Sequence, residues 1–279
     1  MKRVTALAHA GLSRLADGEW RLHSRFSQAV NYCRADGALL TLFRYGKGMG
    51  PTGILLSRRD FSQMACAPFL VKRGEQLWWP GGRLKARRPL CLKLFPGALA
   101  PLSLSGCSRQ SGLGLPLSHP LTALPVYHRL FTELDNWFAG QEPDWSWLIG
   151  RGPGLTPSGD DILTGVMAVL TSAGFSRNLR SCPFLPAKDR LVLLTTSVSC
   201  SYLNSAIEGE FSTPVLQLMR CLQSDRDPRQ AIRRVLSIGH TSGADMLLGV
   251  ALAQQWLRVM LSRRTHARSG NDTYIYSGC

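Results

Sequence analysis

The stretch GRGPGLTPSGDDILTG, residues 150–165, decides how the chain divides. Its first half is turn chemistry, rich in Gly and Pro, and its second half opens an apolar run, DILTGVMAVLTSAG (161–174). That run is apolar almost all round, the mark of a helix buried on every side. Before it, from Glu19 to about Phe95, short runs (WRLHSRF, AVNYC, ALLTLFRY, GILL, LCLKLF) are separated by the turn signals DG, GKGMGPTG, KRGEQ and PGGR. Such spacing predicts strands. Residues 1–18 fit a short, weakly amphipathic helix, and the Pro/Gly/Ser/Leu stretch 96–120 reads as a long connection.

After Pro120 the period changes to that of helices. Helical spacing is found in VYHRLFTELDNWFAG (126–140), in a single segment over 189–209 closing at Gly209, in STPVLQLMRCL (212–222), in DPRQAIRRVLSIG (227–239) and in 243–261. The expected class is α+β: a β-rich N-terminal region with a trailing linker (1–120), an all-helical region (121–262) and a polar, frayed tail (263–279).

A shorter echo of the opening stretch, GHTSGADMLLG, stands at 239–249. With one gap at Pro157, the two turns share Gly154/Gly239, Thr156/Thr241, Ser158/Ser242, Gly159/Gly243, Asp161/Asp245, Leu163/Leu247 and Gly165/Gly249, seven identities in eleven paired columns. Thr and Ser ahead of a helix cap its free N–H groups. Gly permits positive φ and close approach to a ligand. A helix start carries free donors and partial positive charge, which suits an anion. Gly165 and Gly249, four residues after each Asp, allow another helix to pack closely.

One such turn is no more than a good cap; two near-copies point either to two helix starts serving one cleft or to a duplication kept for packing. The shared-cleft reading names Asp161, Asp245 and His240 as catalytic candidates. Arg151, Gly154, Thr156, Ser158, Gly159, Asp160, Thr241, Ser242 and Gly243 are the substrate-binding candidates. Asp160 and Asp161, about 100° apart on the helix, must face different ways, one to the site and the other to a cap or to solvent. His240 suits proton transfer or a substrate oxygen. In the segment 197–211, Ser197, Ser201 and Asn204 share a helical stripe, and Tyr202 lies on another. The loop GKGMGPTG (46–53) reads first as a hairpin connection, although its Lys47 would suit an anion.

Composition bounds the rest. The chain has 279 residues, 44% of them hydrophobic and 18% charged, as in a folded protein with a sizeable core. No apolar run approaches the roughly 20 residues that span a bilayer, and the short apolar start, interrupted by His9, is too short for a secretory signal. The expectation is a cytoplasmic protein. Eight scattered cysteines show no zinc spacing and read as reduced, buried thiols. The formal charge of +15 comes from dispersed basic clusters, among them SRR (57–59) and RLKARR (83–88). No helix-turn-helix, RNP stretch or zinc finger accompanies them, so nucleic acid is not the expected partner. P-loop and G-x-S-x-G patterns are absent as well.

Together, GRGPGLTPSGDDILTG, TTSVSCSYLNSAIEGEFSTPVL and IGHTSGADMLLGVALAQQWL, with ADGALLTLFRYGKGMGPTGILLSRRDF in the N-terminal region, resemble the AllH-type subunits of oxamate carbamoyltransferase. These sit within a larger bacterial family associated with anaerobic allantoin breakdown. The likeness runs over roughly residues 20–260. It implies a carbamoyltransferase complex with two other subunits, converting oxalurate and phosphate to oxamate and carbamoyl phosphate. A divalent metal is compatible with the paired Asp residues and required by none of them. An S-T-R-T-type carbamoyl phosphate motif is absent, and the resemblance does not assign the chemistry to one subunit. The competing reading is a non-catalytic subunit that positions its partners.

Overall fold

The computed structural model describes residues 2–271. Nine strands form one sheet: β1 (Lys2–Thr5), β2 (Ala8–Ala10), β3 (Gly18–Arg25), β4 (Ala29–Cys33), β5 (Leu39–Arg44), β6 (Gly53–Leu56), β7 (Phe69–Arg73), β8 (Gln76–Trp79) and β9 (Gly82–Lys85). Their order is β1-β9-β8-β7-β3-β4-β5-β6-β2. β1 and β2 follow each other in sequence yet lie at opposite ends of that order. The Ala6 N–H donates to the Lys85 carbonyl (3.0 Å) and the Leu7 N–H to the Leu55 carbonyl (2.9 Å), so the curled sheet meets itself at these two residues.

Alternation along each strand fills the inside of the curl. Trp20, Tyr32, Leu42, Ile54, Leu77 and Leu84 face inward, and Phe61 and Met64 of helix α1 (Arg58–Met64) pack among them. Residues 1–18 therefore hold strands rather than the expected helix. VTALAHA alternates too briefly, and with too many alanines, for its period to declare itself; pairing to β9 and β6 decides it.

β5 and β6 run parallel, so GKGMGPTG is no hairpin. The loop travels back across the strands and docks on the helical region. There Thr213 holds the loop: its Oγ1 accepts from the Met49 N–H (3.0 Å), while its N–H donates to the Met49 carbonyl (2.9 Å). LCLKLF is extended but belongs to no strand. Its Leu94 N–H donates to the Gly209 carbonyl (2.9 Å), and its Leu92 carbonyl accepts from Phe211 (3.1 Å), tying the sheet to the helices.

The helical region comprises α2 (Val126–Phe138), α3 (Ser158–Ser172), α4 (Ser176–Ser181), α5 (Lys188–Leu194), α6 (Ser197–Ile207), α7 (Thr213–Gln223), α8 (Arg229–Leu236) and α9 (Ser242–Asn271). Every residue of α3 is buried. The single helix expected over 189–209 is two, because Thr195 is extended and Thr196 caps a new start: its Oγ1 accepts from the Ser199 N–H (3.0 Å). The polar tail is helical through Asn271, carried outward from a well-packed helix, and residues 272–279 lie outside the described part. No helix among the described residues is long and apolar enough to cross a membrane. Of the described cysteines only Cys200 is buried, whereas Cys66 and Cys91 are exposed, so the reading as buried thiols holds for one of them.

Residues 96–120 carry no strand or helix, yet they are packed: Leu104 and Leu117 enter the helical core. This segment also reaches the two Gly-rich turns.

Candidate functional site

α3 and α9 cross at their glycines. A Cβ added to Gly165 would run into the Met246 carbonyl, and one added to Gly249 into the Ile162 carbonyl. Each helix thus lays a glycine against the other's backbone, a reciprocal contact that only these residues permit. Six residues further back, Gly159 meets the Leu148 carbonyl and Gly243 the Val235 carbonyl in the same way. Gly154 (φ 93°) and Gly239 (φ 56°) both take the left-handed region.

This crossing brings the two turns together. Thr156 Oγ1 and Ser242 Oγ share a hydrogen bond of 2.9 Å across 86 residues of sequence. The Asp161 carboxyl is approached by the hydroxyls of Ser242 and Thr156. The Asp245 carboxyl lies beside the hydroxyls of Ser158 and Thr241. Each Asp is therefore served by the Thr of its own turn and the Ser of the other. The arrangement differs from the expected capping: the residue before α3 is Pro157, and no side chain caps that helix. The hydroxyls turn toward the carboxyls instead, and backbone carbonyls take up amides of the turns, with Arg151 O accepting from Gly159 (2.9 Å) and Ile238 O from Gly243 (3.1 Å).

Both Asp161 and Asp245 are buried. Loss of solvent raises the Asp161 pKa well above the ordinary 3.8, opposed by the Ser242 hydroxyl and reinforced by the neighbouring Asp245 charge. Desolvation also raises Asp245, against the pull of Ser158, the Gly112 amide and Thr241. One oxygen of each carboxyl, Asp161 Oδ2 and Asp245 Oδ2, has no hydrogen-bond partner, and neither has Ser158 Oγ. Groups of this kind hold a proton more tightly than an exposed carboxyl does and offer it, or accept an N–H, at fixed positions.

A further residue, unmarked in the sequence reading, enters here. The Gly112 N–H donates to Asp245 Oδ1 (2.9 Å). A side chain at 112 would strike Ser158 Oγ, come within 2.8 Å of Thr241 Oγ1 and within 3.4 Å of Asp245 Oδ2. Ser111 Oγ shapes this turn by accepting from Leu113 (3.2 Å) and Leu115 (3.1 Å), so residues 111–115 lie over the joined turns. Tyr202, whose hydroxyl abuts Gly50, has its pKa pushed up by burial and then by the nearby Asp161 charge.

Asp160 goes elsewhere. Buried and meeting neither solvent nor the paired carboxyls, it accepts from the Gly150 N–H (2.9 Å), from Ser199 Oγ (2.5 Å) and from the Thr195 hydroxyl. It binds the first turn to α6; desolvation raises its pKa against those three hydrogen bonds. Thr195 and Ser199 were not singled out in the sequence. The signal was the unmatched Asp160, which had to find donors somewhere. The stripe residue Ser197 instead reaches His23 Nε2 on the sheet (3.2 Å).

Arg151, Gly154 and His240 are exposed at the rim. Lys47 is exposed as well and donates to the Ser237 carbonyl (3.3 Å), beside the second turn. Among the described residues no three His, Cys, Asp or Glu side chains are grouped to hold a metal ion.

Two family models match the chain. Residues 148–254, which contain both turns, match the oxamate carbamoyltransferase subunit AllH, and residues 3–100 match the AllH family N-terminal domain. No solved structure matches it.

Proposed function

The chain belongs to the AllH family of oxamate carbamoyltransferase subunits, and from that premise we propose that its joined turns form the site where the complex holds its small anionic substrate. The substrate class is oxalurate, phosphate or carbamoyl phosphate, in the anaerobic use of allantoin nitrogen in the cytoplasm, with two other subunits completing the enzyme. The meeting of Thr156 with Ser242 (2.9 Å), which sets Asp161 and Asp245 in one buried cluster, carries this reading.

The roles follow from the chemistry of such substrates, which pair an anionic end with an amide or ureido group. Asp161 and Asp245, each with an unpartnered oxygen, accept N–H groups or hold a proton for a developing charge on a carbonyl oxygen. Exposed Arg151, His240 and Lys47 at the rim take the anionic end, and Gly154 leaves the backbone open there. Asp160 acts as a positioning residue through its hold on α6. The turn 111–115 covers the carboxyls, so entry requires it to lift.

The burial of both carboxyls favours a second reading, in which this subunit only positions its partners and the cluster is structural. Asp161→Asn and Asp245→Asn, assembled with the partner subunits, separate the two. Substrate orientation predicts a loss of kcat of about 100-fold or more with assembly intact. Activity that stays at the wild-type level in the assembled variants rejects the proposed site and leaves the scaffolding role.

A further inference from the structure

The outside of the curled sheet has two unlike halves. Over β5, β6 and β2 it is covered by the helical region, with Phe43 and Leu55 packed against the helical core. Over β1, β9, β8 and β7 no such cover exists among the described residues, β3 meeting the helices only where His23 reaches Ser197, and register places the outward side chains in rows. One row runs Arg3, Arg83, Trp78, Val71, Glu19; the next runs Thr5, Lys85, Gln76, Arg73. The inward neighbours Val4, Leu84 and Ala86 belong to the sheet's core, so RLKARR presents Arg83, Lys85 and Arg87 on one outer stripe.

Arg3 and Arg83 are direct cross-strand partners. Like charges in that position repel and weaken the pairing. Arg3, Arg83, Lys85 and Arg87 have no ion pair among the described residues, whereas Glu19 is already taken by Arg21 (2.9 Å). Water and salt screen part of that repulsion, and an apposed negative charge relieves the rest. Trp78, half-buried, has Arg73 over its ring at 5.7 Å, so on that side the ring meets a cation rather than a base. The chain carries +15 overall and belongs to a family of subunits that work in a complex.

We propose that the open outer face of β1 and β9, marked by Arg3, Arg83, Lys85 and Arg87, docks an acidic surface of another subunit of the carbamoyltransferase complex. Complementary charge there sets the orientation and the rate of assembly.

The test is reconstitution of the full chain with its purified partner subunits, following Kd across a salt series. Arg3→Glu/Arg83→Glu/Lys85→Glu is compared with Arg58→Glu/Arg59→Glu/Arg233→Glu, an equal charge change on α1 and α8. The docking face predicts at least a tenfold weakening and a flattened salt dependence for the first variant alone. Should the triple variant fail to fold, as judged by its Tm, Arg83→Gln/Lys85→Gln takes its place, with a smaller loss in the same direction. Unchanged Kd, or equal losses in both sets, overturns the proposal. So does tighter binding of a single-stranded RNA oligonucleotide than of the partner subunits, abolished by the same substitutions; that result makes the face a nucleic-acid surface.

Discussion

The two Gly-rich turns share seven of eleven paired columns, yet the structure uses the shared and unshared columns for different ends. Of the shared residues, Thr, Ser, Asp and the later Gly meet across the α3–α9 crossing, the glycines against the backbone carbonyls of Met246 and Ile162. Of the four unshared columns, Asp160 against Ala244 is the one through which the first turn alone ties a carboxyl to a third helix, α6. The shared side chains thus record what the turns do to each other, and the Asp160 column records what the first turn does to its surroundings.

The largest effect tests the shared part. A Cβ at Gly249 or Gly165 collides with backbone rather than with a flexible side chain. Gly249→Ala and Gly165→Ala should each cost about 3 kcal/mol or more, read from urea unfolding midpoints. Near-wild-type stability in either would mean that the helices part easily and that the crossing does not define the cluster.

The Asp160–Ala244 column comes next. Asp160→Ala strands the Gly150 amide and the hydroxyls of Thr195 and Ser199, for a loss of about 2 to 4 kcal/mol. Ala244→Asp, which makes the second turn resemble the first, buries a carboxyl without those donors and should destabilise by roughly 3 kcal/mol. If Ala244→Asp is tolerated, the asymmetry between the turns is incidental.

The paired carboxyls give the comparison a pH signature. Both are raised on folding, so the folded state binds more protons than the unfolded chain above the ordinary value of 3.8. Stability should fall as pH rises from that value through the folded-state pKa values, the reverse of a salt-bridged Asp. In Asp161→Asn/Asp245→Asn that slope should shrink to the part that Asp160 contributes, with a gain in stability toward neutral pH. Unfolding midpoints measured from pH 4 to 8 check both statements, and a wild-type slope of the opposite sign would remove the desolvated pair from the account.

The smallest effect distinguishes the matched serines. Ser242 bonds Thr156 at 2.9 Å and also approaches Asp161, whereas Ser158 approaches Asp245 alone. Ser242→Ala should cost about 1 kcal/mol, and Ser158→Ala less.

Much of this was legible in the residues. AVNYC and GILL are strands at their own boundaries, and α2, α7 and α8 start and stop close to where their caps and periods place them. The likeness of the turns could be read from identity, but it fitted a duplication kept for packing as well as a shared cleft until Thr156 met Ser242. What could not be read depends on distant partners. β1 and β2 are too short to show a period and are strands because β9 and β6 accept them. The break at Thr195–Thr196 arises because Asp160 claims the Thr195 side chain and Thr196 caps α6. Gly112 lies in a stretch without periodicity, and nothing local announces that its amide ends on Asp245.

The seam at Ala6 and Leu7 has a consequence for how the chain reaches its native state. The first strands leave the ribosome about 80 residues ahead of β9, the neighbour of β1. Until residues 82–90 follow, β1 has no partner and the strand order cannot be completed. Such non-local pairing makes for slow folding, with unpaired strand edges exposed in the meantime. In a chase from denaturant, amides of β4 and β5, which pair locally, should gain protection before those of Ala6 and Leu7.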